Sequence, residues 1–147
     1  KEGWSALVSL PSYQTAIYTN SVKLHEVENL IKALPQVNFN ILAHSYFAPE
    51  ILMLEKYKNV TLYPCFDPLT HEKVFNHLDF YLDINYEDEI YNIIQKVVDK
   101  GIPFYSFQAT NHAHEISHYV FENQDVDGMI QHIKNYLDTL ENRMDNE

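Results

Sequence analysis

Short apolar runs, each ending in polar turn residues and followed by a helical period, constrain this chain more than any other feature. The sharpest is Phe80-Tyr-Leu-Asp-Ile84, which enters the polar loop Asn85 to Glu89, with a helix expected from Glu89 onward. Thr15 to Tyr18, Phe39 to Ala43, Asn59 to Tyr63 and Ile102 to Phe107 repeat the strand pattern. Between them, Val27, Leu30, Ile31 and Leu34 recur at helical spacing, with Thr19-Asn20-Ser21 as N-cap candidates and Pro35 as the stop. Pro49 suits a first helical turn, and Thr70 to Leu78 reads as a short helix. Ile90, Ile93, Ile94, Val97 and Val98 form one apolar face that Gly101 ends. A short helix is expected around His114 to Val120, and a longer one from about Asp125 to about Leu140. Strands regularly separated by helices imply βαβ units. The expected fold is therefore α/β and Rossmann-like, with three layers and a mainly parallel sheet. Its expected span is residues 15–140. Residues 1–14, including Trp4 to Leu10, read as an edge strand or an inter-domain remnant, and residues 141–147 as a fraying polar tail.

The chain of 147 residues suits one domain, and its 46% hydrophobic content suffices for a core. A formal charge of −11 opposes nucleic-acid binding, which needs clustered Lys and Arg; Arg143 is the only arginine. Apolar runs fall far short of a membrane span. The single cysteine, Cys65, excludes an internal disulfide and fits a reducing compartment. Its place after Pro64 at a strand end suggests a partly buried structural thiol. Because the chain opens on Lys1, it reads as part of something longer.

His114-Glu115-Ile116-Ser117-His118 matches HExxH, which on a helix would set two imidazoles on one face for zinc with the glutamate as base. No histidine stands at the usual short offset after His118 to complete the site, so His114 and His118 are weak metal candidates. The competing explanation is a helix start in which His and Glu serve capping and dipole roles. Asp125-Val-Asp127 matches a DxD, but acidic residues open helices for electrostatic reasons alone. With only Gly3, Gly101 and Gly128, no glycine loop cradles phosphate, and no G-x-S-x-G exists.

Topology then gathers residues that motifs do not. Strand ends place Thr19, Asn20 and Ser21, then His44 and Ser45, then Asp83, Asn85 and Glu89, then Thr110, Asn111 and His112 along one edge. A helix start near His112 could receive phosphate on free N–H groups, and Asn85 and Glu89 could accept sugar hydroxyls. Asn, Ser, Thr and Asp are also ordinary cap and turn residues.

These stretches resemble a known family. Ile17-Tyr-Thr-Asn-Ser21, Val27-Glu-Asn-Leu-Ile31, Leu34-Pro35, Phe39-Asn-Ile-Leu-Ala43, Tyr57 to Pro64 and Tyr81-Leu-Asp-Ile-Asn85 with Glu89-Ile90 are similar to the C-terminal half of GT-B glycosyltransferase-like proteins of the GtfB family. The likeness runs from about Thr15 to Leu137. It implies the accessory Sec system of Gram-positive bacteria, in which GtfB partners the catalytic subunit GtfA in adding N-acetylglucosamine to serine-rich adhesins. It further implies a cytoplasmic protein, peripheral at the inner membrane face, with a UDP-sugar as the ligand of active relatives and no other cofactor. Two departures favour the non-catalytic partner over the donor-binding half of an active enzyme. Donor halves supply an Arg and a Lys to the diphosphate, and no arginine precedes Arg143. They also carry two glutamates separated by seven residues, and Glu89 meets Val97 at that offset. Lys23 and the histidines are the nearby basic groups. A domain separated from its other half would expose surface and favour homo-oligomers. The zinc hydrolase remains a distant alternative.

Overall fold

The computed structural model describes residues 11–145. The strands are β1 (Tyr13–Tyr18), β2 (Val37–Leu42), β3 (Val60–Tyr63), β4 (Phe80–Asp83), β5 (Phe104–Phe107) and β6 (Tyr119–Phe121). The helices are α1 (Val27–Ala33), α2 (Pro49–Leu52, continued as a 3-10 turn over Met53–Lys56), α3 (Pro68–Phe75), α4 (Ile93–Lys100) and α5 (Val126–Asp145). All six strands lie in one sheet of order β3-β2-β1-β4-β5-β6, and every pairing is parallel. Strand order reverses between β1 and β4, which opens a crevice there at the carboxyl edge. The pairing changes too: β1 and β2 stay in register from Tyr13↔Val37 to Tyr18↔Leu42, whereas β1 and β4 share only Thr15↔Phe80 and Ala16↔Tyr81.

Alternation along each strand feeds two cores, one on each face of the sheet. Ile17, Phe39, Ile41, Phe80, Leu82, Tyr105 and Phe107 pack under α1, α2 and α5, joined by Leu30, Ile31, Met129 and Ile133. Ala16, Tyr18, Leu42, Tyr81 and Phe104 face the other way, against Val74 and Phe75 of α3 and Ile93, Ile94 and Val97 of α4. The three-layer α/β expectation is met. Among the described residues no helix is long and apolar enough to cross a membrane.

Several local expectations need correction, and tertiary contacts explain them. His114 to Val120 is not a helix; turns lead into β6, whose Tyr119, Val120 and Phe121 pair with Tyr105, Ser106 and Phe107. Aromatic and β-branched side chains fit that half-exposed edge better than a helix. The helix expected from Glu89 begins at Ile93, because Tyr91 and Asn92 take left-handed φ of 59° and 54°. Thr19-Asn20-Ser21 caps no helix, since α1 starts at Val27 behind Glu26. The helix placed at Thr70 starts instead at Pro68, where the Asp67 side chain accepts the Thr70 N–H at 2.8 Å. No glycine or proline interrupts Glu141 to Asp145, so α5 runs to Asp145 where a polar tail was expected. Cys65 is exposed with φ of 53°, not partly buried. Trp4 to Leu10 lies outside the described residues.

Phe39 is fully buried between β1 and β3, whereas Leu52 is 50% exposed. Phe39→Ala is expected to lower unfolding free energy by about 3–5 kcal/mol, and Leu52→Ala by less than about 0.5 kcal/mol, read by urea denaturation.

Candidate functional site

The carboxyl edge of the sheet is organised by Asp83, the last residue of β4, whose carboxylate is 1% exposed. A buried carboxylate is costly unless every lone pair finds a donor. His112 supplies its ring Nδ1 at 2.7 Å and its backbone N–H at 2.8 Å, and the Ser106 hydroxyl donates at 3.2 Å. The other ring nitrogen, Nε2, donates to the Glu87 carbonyl at 2.6 Å. Carboxylate and carbonyl only accept, so His112 is best served by carrying protons on both nitrogens. The hydrogen bond to Asp83 accordingly raises the His112 pKa above its ordinary value; burial opposes this, and the Asp83 charge adds to it.

Neighbouring loops are tied to the same centre. The Thr110 hydroxyl donates to the Asp83 carbonyl at 2.9 Å, closing the turn after β5. The Asn85 amide donates to the Glu87 carbonyl at 3.0 Å, and Ser21 Oγ accepts the Glu87 N–H at 3.2 Å. Thr19 Oγ1 accepts the Ser21 N–H, shaping the turn after β1. Asn20 Oδ1 accepts the His44 N–H at 3.0 Å, joining the β1 and β2 loops. Asn111 Oδ1 accepts the Ala113 N–H, and Glu89 accepts the Ile94 N–H of α4 at 3.3 Å.

The structure thus brings Thr19, Asn20, Ser21, His44, Asp83, Asn85, Glu89, Thr110, Asn111 and His112 onto one edge, but divides them by accessibility. Thr19, Ser21, Asp83, Asn85 and Thr110 are buried and hydrogen-bonded within the chain. Asn20 and His44 are exposed, and Glu89, Asn111 and His112 are half-buried. Only a 3-10 turn over Gln108–Thr110 precedes His112 and no α-helix begins there, so the helix N-terminus expected to receive phosphate is absent from that position.

Other members of the edge were not evident from the sequence. His25 contacts the Tyr86 hydroxyl through Nδ1, donates from Nε2 to the Asn123 carbonyl at 2.5 Å, and sets its ring edge-on to Phe107. An aromatic group fills the β1–β3 side. His44 stacks on Phe66 with centroids 4.8 Å apart, and Tyr91 meets His44, Phe66 and His71 edge-on. The Tyr18 hydroxyl bonds His71 Nδ1 at 2.7 Å, and burial holds His71 below its ordinary pKa. Lys96 donates to the Tyr91 carbonyl at 3.0 Å and lies 4.5 Å from that ring's centre. The left-handed geometry of Tyr91 and Asn92, next to this aromatic group, could not be read from residue types.

The HExxH reading is corrected here. His114 and His118 lie on turns before β6, not on a helical face. His118 stacks on Phe104 at 4.3 Å, donates from Nδ1 to the Ile116 carbonyl at 2.7 Å, and has Nε2 3.0 Å from Ser106 Oγ. Among the described residues no group of three or more His, Cys, Asp or Glu side chains could hold a metal.

Because the folded pKa of His112 exceeds its unfolded value, its stabilisation is complete at acidic pH and fades as pH rises through the folded pKa. Unfolding free energy, followed by urea titration from pH 6 to 9, should fall across that window. Asp83→Asn should flatten the fall and cost about 2 kcal/mol at the acid end.

Comparisons with known proteins bear on the family and the fold. The model of the GftB/GlyA-F C-terminal domain matches residues 15–146. Glycosyltransferase GlyB of Streptococcus pneumoniae serotype 4 is 40% identical over 131 residues, covering 89% of this chain and 32% of that protein. The UDP-N-acetylglucosamine–peptide N-acetylglucosaminyltransferase stabilizing protein GtfB of Limosilactobacillus reuteri is 32% identical, covering 67% of this chain and 22% of that protein. The GtfA/B complex bound to UDP and GlcNAc superposes with a TM-score of 0.77 at 26% identity, over 86% of this chain and 29% of that one. The chain therefore spans a third or less of the curated relatives it matches here, consistent with the expected C-terminal half of a GT-B fold. Matched by the family model over nearly all of its described length, the chain belongs to the GftB/GlyA-F C-terminal domain family.

Proposed function

We propose that this domain serves, within a longer protein, as the C-terminal half of a stabilising and acceptor-holding partner of a catalytic glycosyltransferase subunit. The process is attachment of N-acetylglucosamine to serine-rich adhesin chains in the cytoplasm, with the inner membrane face as the place of peripheral contact. One observation carries the choice of partner over donor-binding half: the edge offers almost no free positive charge. A diphosphate needs charge-assisted donors. By position in the chain, Lys23 and Lys96 are the lysines nearest the edge, and Lys96 is already bonded to the Tyr91 carbonyl. His112, the edge histidine paired with a carboxylate, has both ring nitrogens engaged by Asp83 and Glu87. The net charge of −11 adds a repulsive background.

Exposed apolar side chains supply protein-binding surface instead. Tyr46 after β2 is 85% exposed, Tyr86 after β4 46%, and Val22 after β1 42%. Aromatic groups at such positions anchor protein interfaces, and in the isolated domain they favour self-association.

The second reading is a UDP-sugar donor site in an active enzyme, favoured by the 40% identity to a protein named as a glycosyltransferase. Asn111 and His112 would then face phosphate, and Asn85 and Glu89 the sugar. Those last two side chains are committed to the Glu87 carbonyl and the Ile94 N–H, so the reading requires loop 85–92 to rearrange. Calorimetric titration of the domain with UDP-N-acetylglucosamine separates the two. The partner reading expects no saturation below about 1 mM, and a dissociation constant in the micromolar range would establish the donor reading instead.

A further inference from the structure

The connection from β5 to β6, residues 108–118, is pinned by two histidines. His112 holds Asp83 of β4, and His118, at the end of the connection, meets Ser106 of β5. Asp83 and Ser106 are paired in the β4–β5 register, and both are buried. One chain of hydrogen bonds therefore runs from the Glu87 carbonyl through His112, Asp83, Ser106 and His118 to the Ile116 carbonyl.

The number of protons in this chain decides whether it closes. A carbonyl only accepts, so His118 Nδ1, 2.7 Å from the Ile116 oxygen, carries a proton. Ser106 has one hydroxyl proton and two neighbours, Asp83 Oδ2 at 3.2 Å and His118 Nε2 at 3.0 Å. With His118 neutral, Nε2 is a lone pair, and the hydroxyl serves the carboxylate or the imidazole but not both. The other contact is then lone pair against lone pair, in a site where Ser106 is fully buried and water replaces nothing. A second proton on His118 removes the conflict: Nε2 donates to Ser106, and Ser106 donates to Asp83.

We propose that His118 is a proton-operated catch on the β5–β6 connection, closed through Ser106 onto Asp83 when its ring carries both protons. Loss of the Nε2 proton turns the Ser106 hydroxyl toward His118, removes a donor from Asp83 and loosens residues 111–118. That segment carries Asn111 and His112 onto the carboxyl edge, so the order of the edge follows the charge of a side chain outside it. The closed form holds one proton more than the open form; acid therefore favours closure, and rising pH releases it. Few charged or titratable groups face the ring. Asp83 of β4, reached through Ser106, favours the proton, and Arg143 of α5 opposes it. Tyr136 of α5 and Tyr119 of β6 line the same cleft, α4 contributes the uncharged Val98, and Phe104 of β5 stacks on the ring at 4.3 Å. His114 and Glu115, on the turn before His118, are exposed. The cleft, of about 570 Å³, gives the ring its route for proton exchange with solvent. The catch works in the same way whichever ligand or partner the carboxyl edge meets.

The test is a nuclear magnetic resonance titration of the isotope-labelled chain from about pH 5 to about pH 9. It reads the ring nitrogens of His112 and His118, the Asp83 carboxyl carbon, and amide exchange protection over residues 111–118. At the acid end both His118 nitrogens are expected to be protonated. As Nε2 loses its proton, the Asp83 carboxyl and the His112 amide should shift at the same midpoint, and protection of the Ile116 amide should fall at least ~5-fold. His118→Phe keeps a ring against Phe104 and leaves the Ser106 proton to Asp83, so the Asp83 response at that midpoint should vanish and only the step of His112 itself remain. Ser106→Ala cuts the chain, so His118 should titrate without moving Asp83. Urea midpoints establish that the variants fold; if neither does, the coupling in the unaltered chain decides. A neutral His118 protonated on Nε2, a His118 charge constant across the range, or an Asp83 response that is absent from the unaltered chain or survives in a folded variant overturns the proposal. Because neither UDP nor a partner protein takes part, failure here leaves the reading of the carboxyl edge untouched, and the reverse.

Discussion

A single buried carboxylate sets the shape of the carboxyl edge of this sheet. Asp83 lies at the end of β4, beside the point where strand order reverses, and is too enclosed to be solvated. Its charge therefore has to be met from inside, and His112 and Ser106 meet it. That requirement draws the β5–β6 connection over the end of the sheet. Through His112 Nε2 it also fixes the Glu87 carbonyl, and through Glu87 the loop after β1. One desolvated charge thus orders three loops distant in the chain.

The same economy explains what the edge is poor at. Polar side chains in an open α/β crevice are commonly taken as ligand contacts, but here most are spent on holding loops together. Thr19, Ser21, Asn85 and Thr110 would have to abandon internal partners to serve a ligand. What stays accessible is a stacked His44–Phe66 pair, an edge-on Tyr91 and exposed tyrosines. Such surfaces suit planar or protein partners better than they suit a polyanion.

The opposite end of the sheet reverses this arrangement. There the amides of Gln14, Asn38 and Asn40 satisfy one another, yet the array remains open to a cleft of about 630 Å³. The mutual bonds let a central strand carry buried amides without an unsatisfied polar group. The two ends of one sheet consequently differ: a charged, closed network at one and a neutral amide array at the other.

Periodicity alone determined the α/β class, the first five strands and the apolar faces of α1 and α4, because burial on a parallel sheet leaves few other patterns. It also placed the edge residues together, since strand ends of a parallel sheet share one side. Composition showed the shortage of cations there. Three things were decided only in three dimensions. Tyr119 to Phe121 became a strand because the edge of β5 was available to pair with it, overriding a helix-compatible HExxH. Tyr91 and Asn92 took left-handed geometry because α4 packs through Ile93, Ile94 and Val97 and the loop must reach it. Which edge residues remain free was set by Asp83, whose burial is a property of the assembled sheet. Residue types say what a group can bind, but only packing decides whether its hydrogen bonds are already taken.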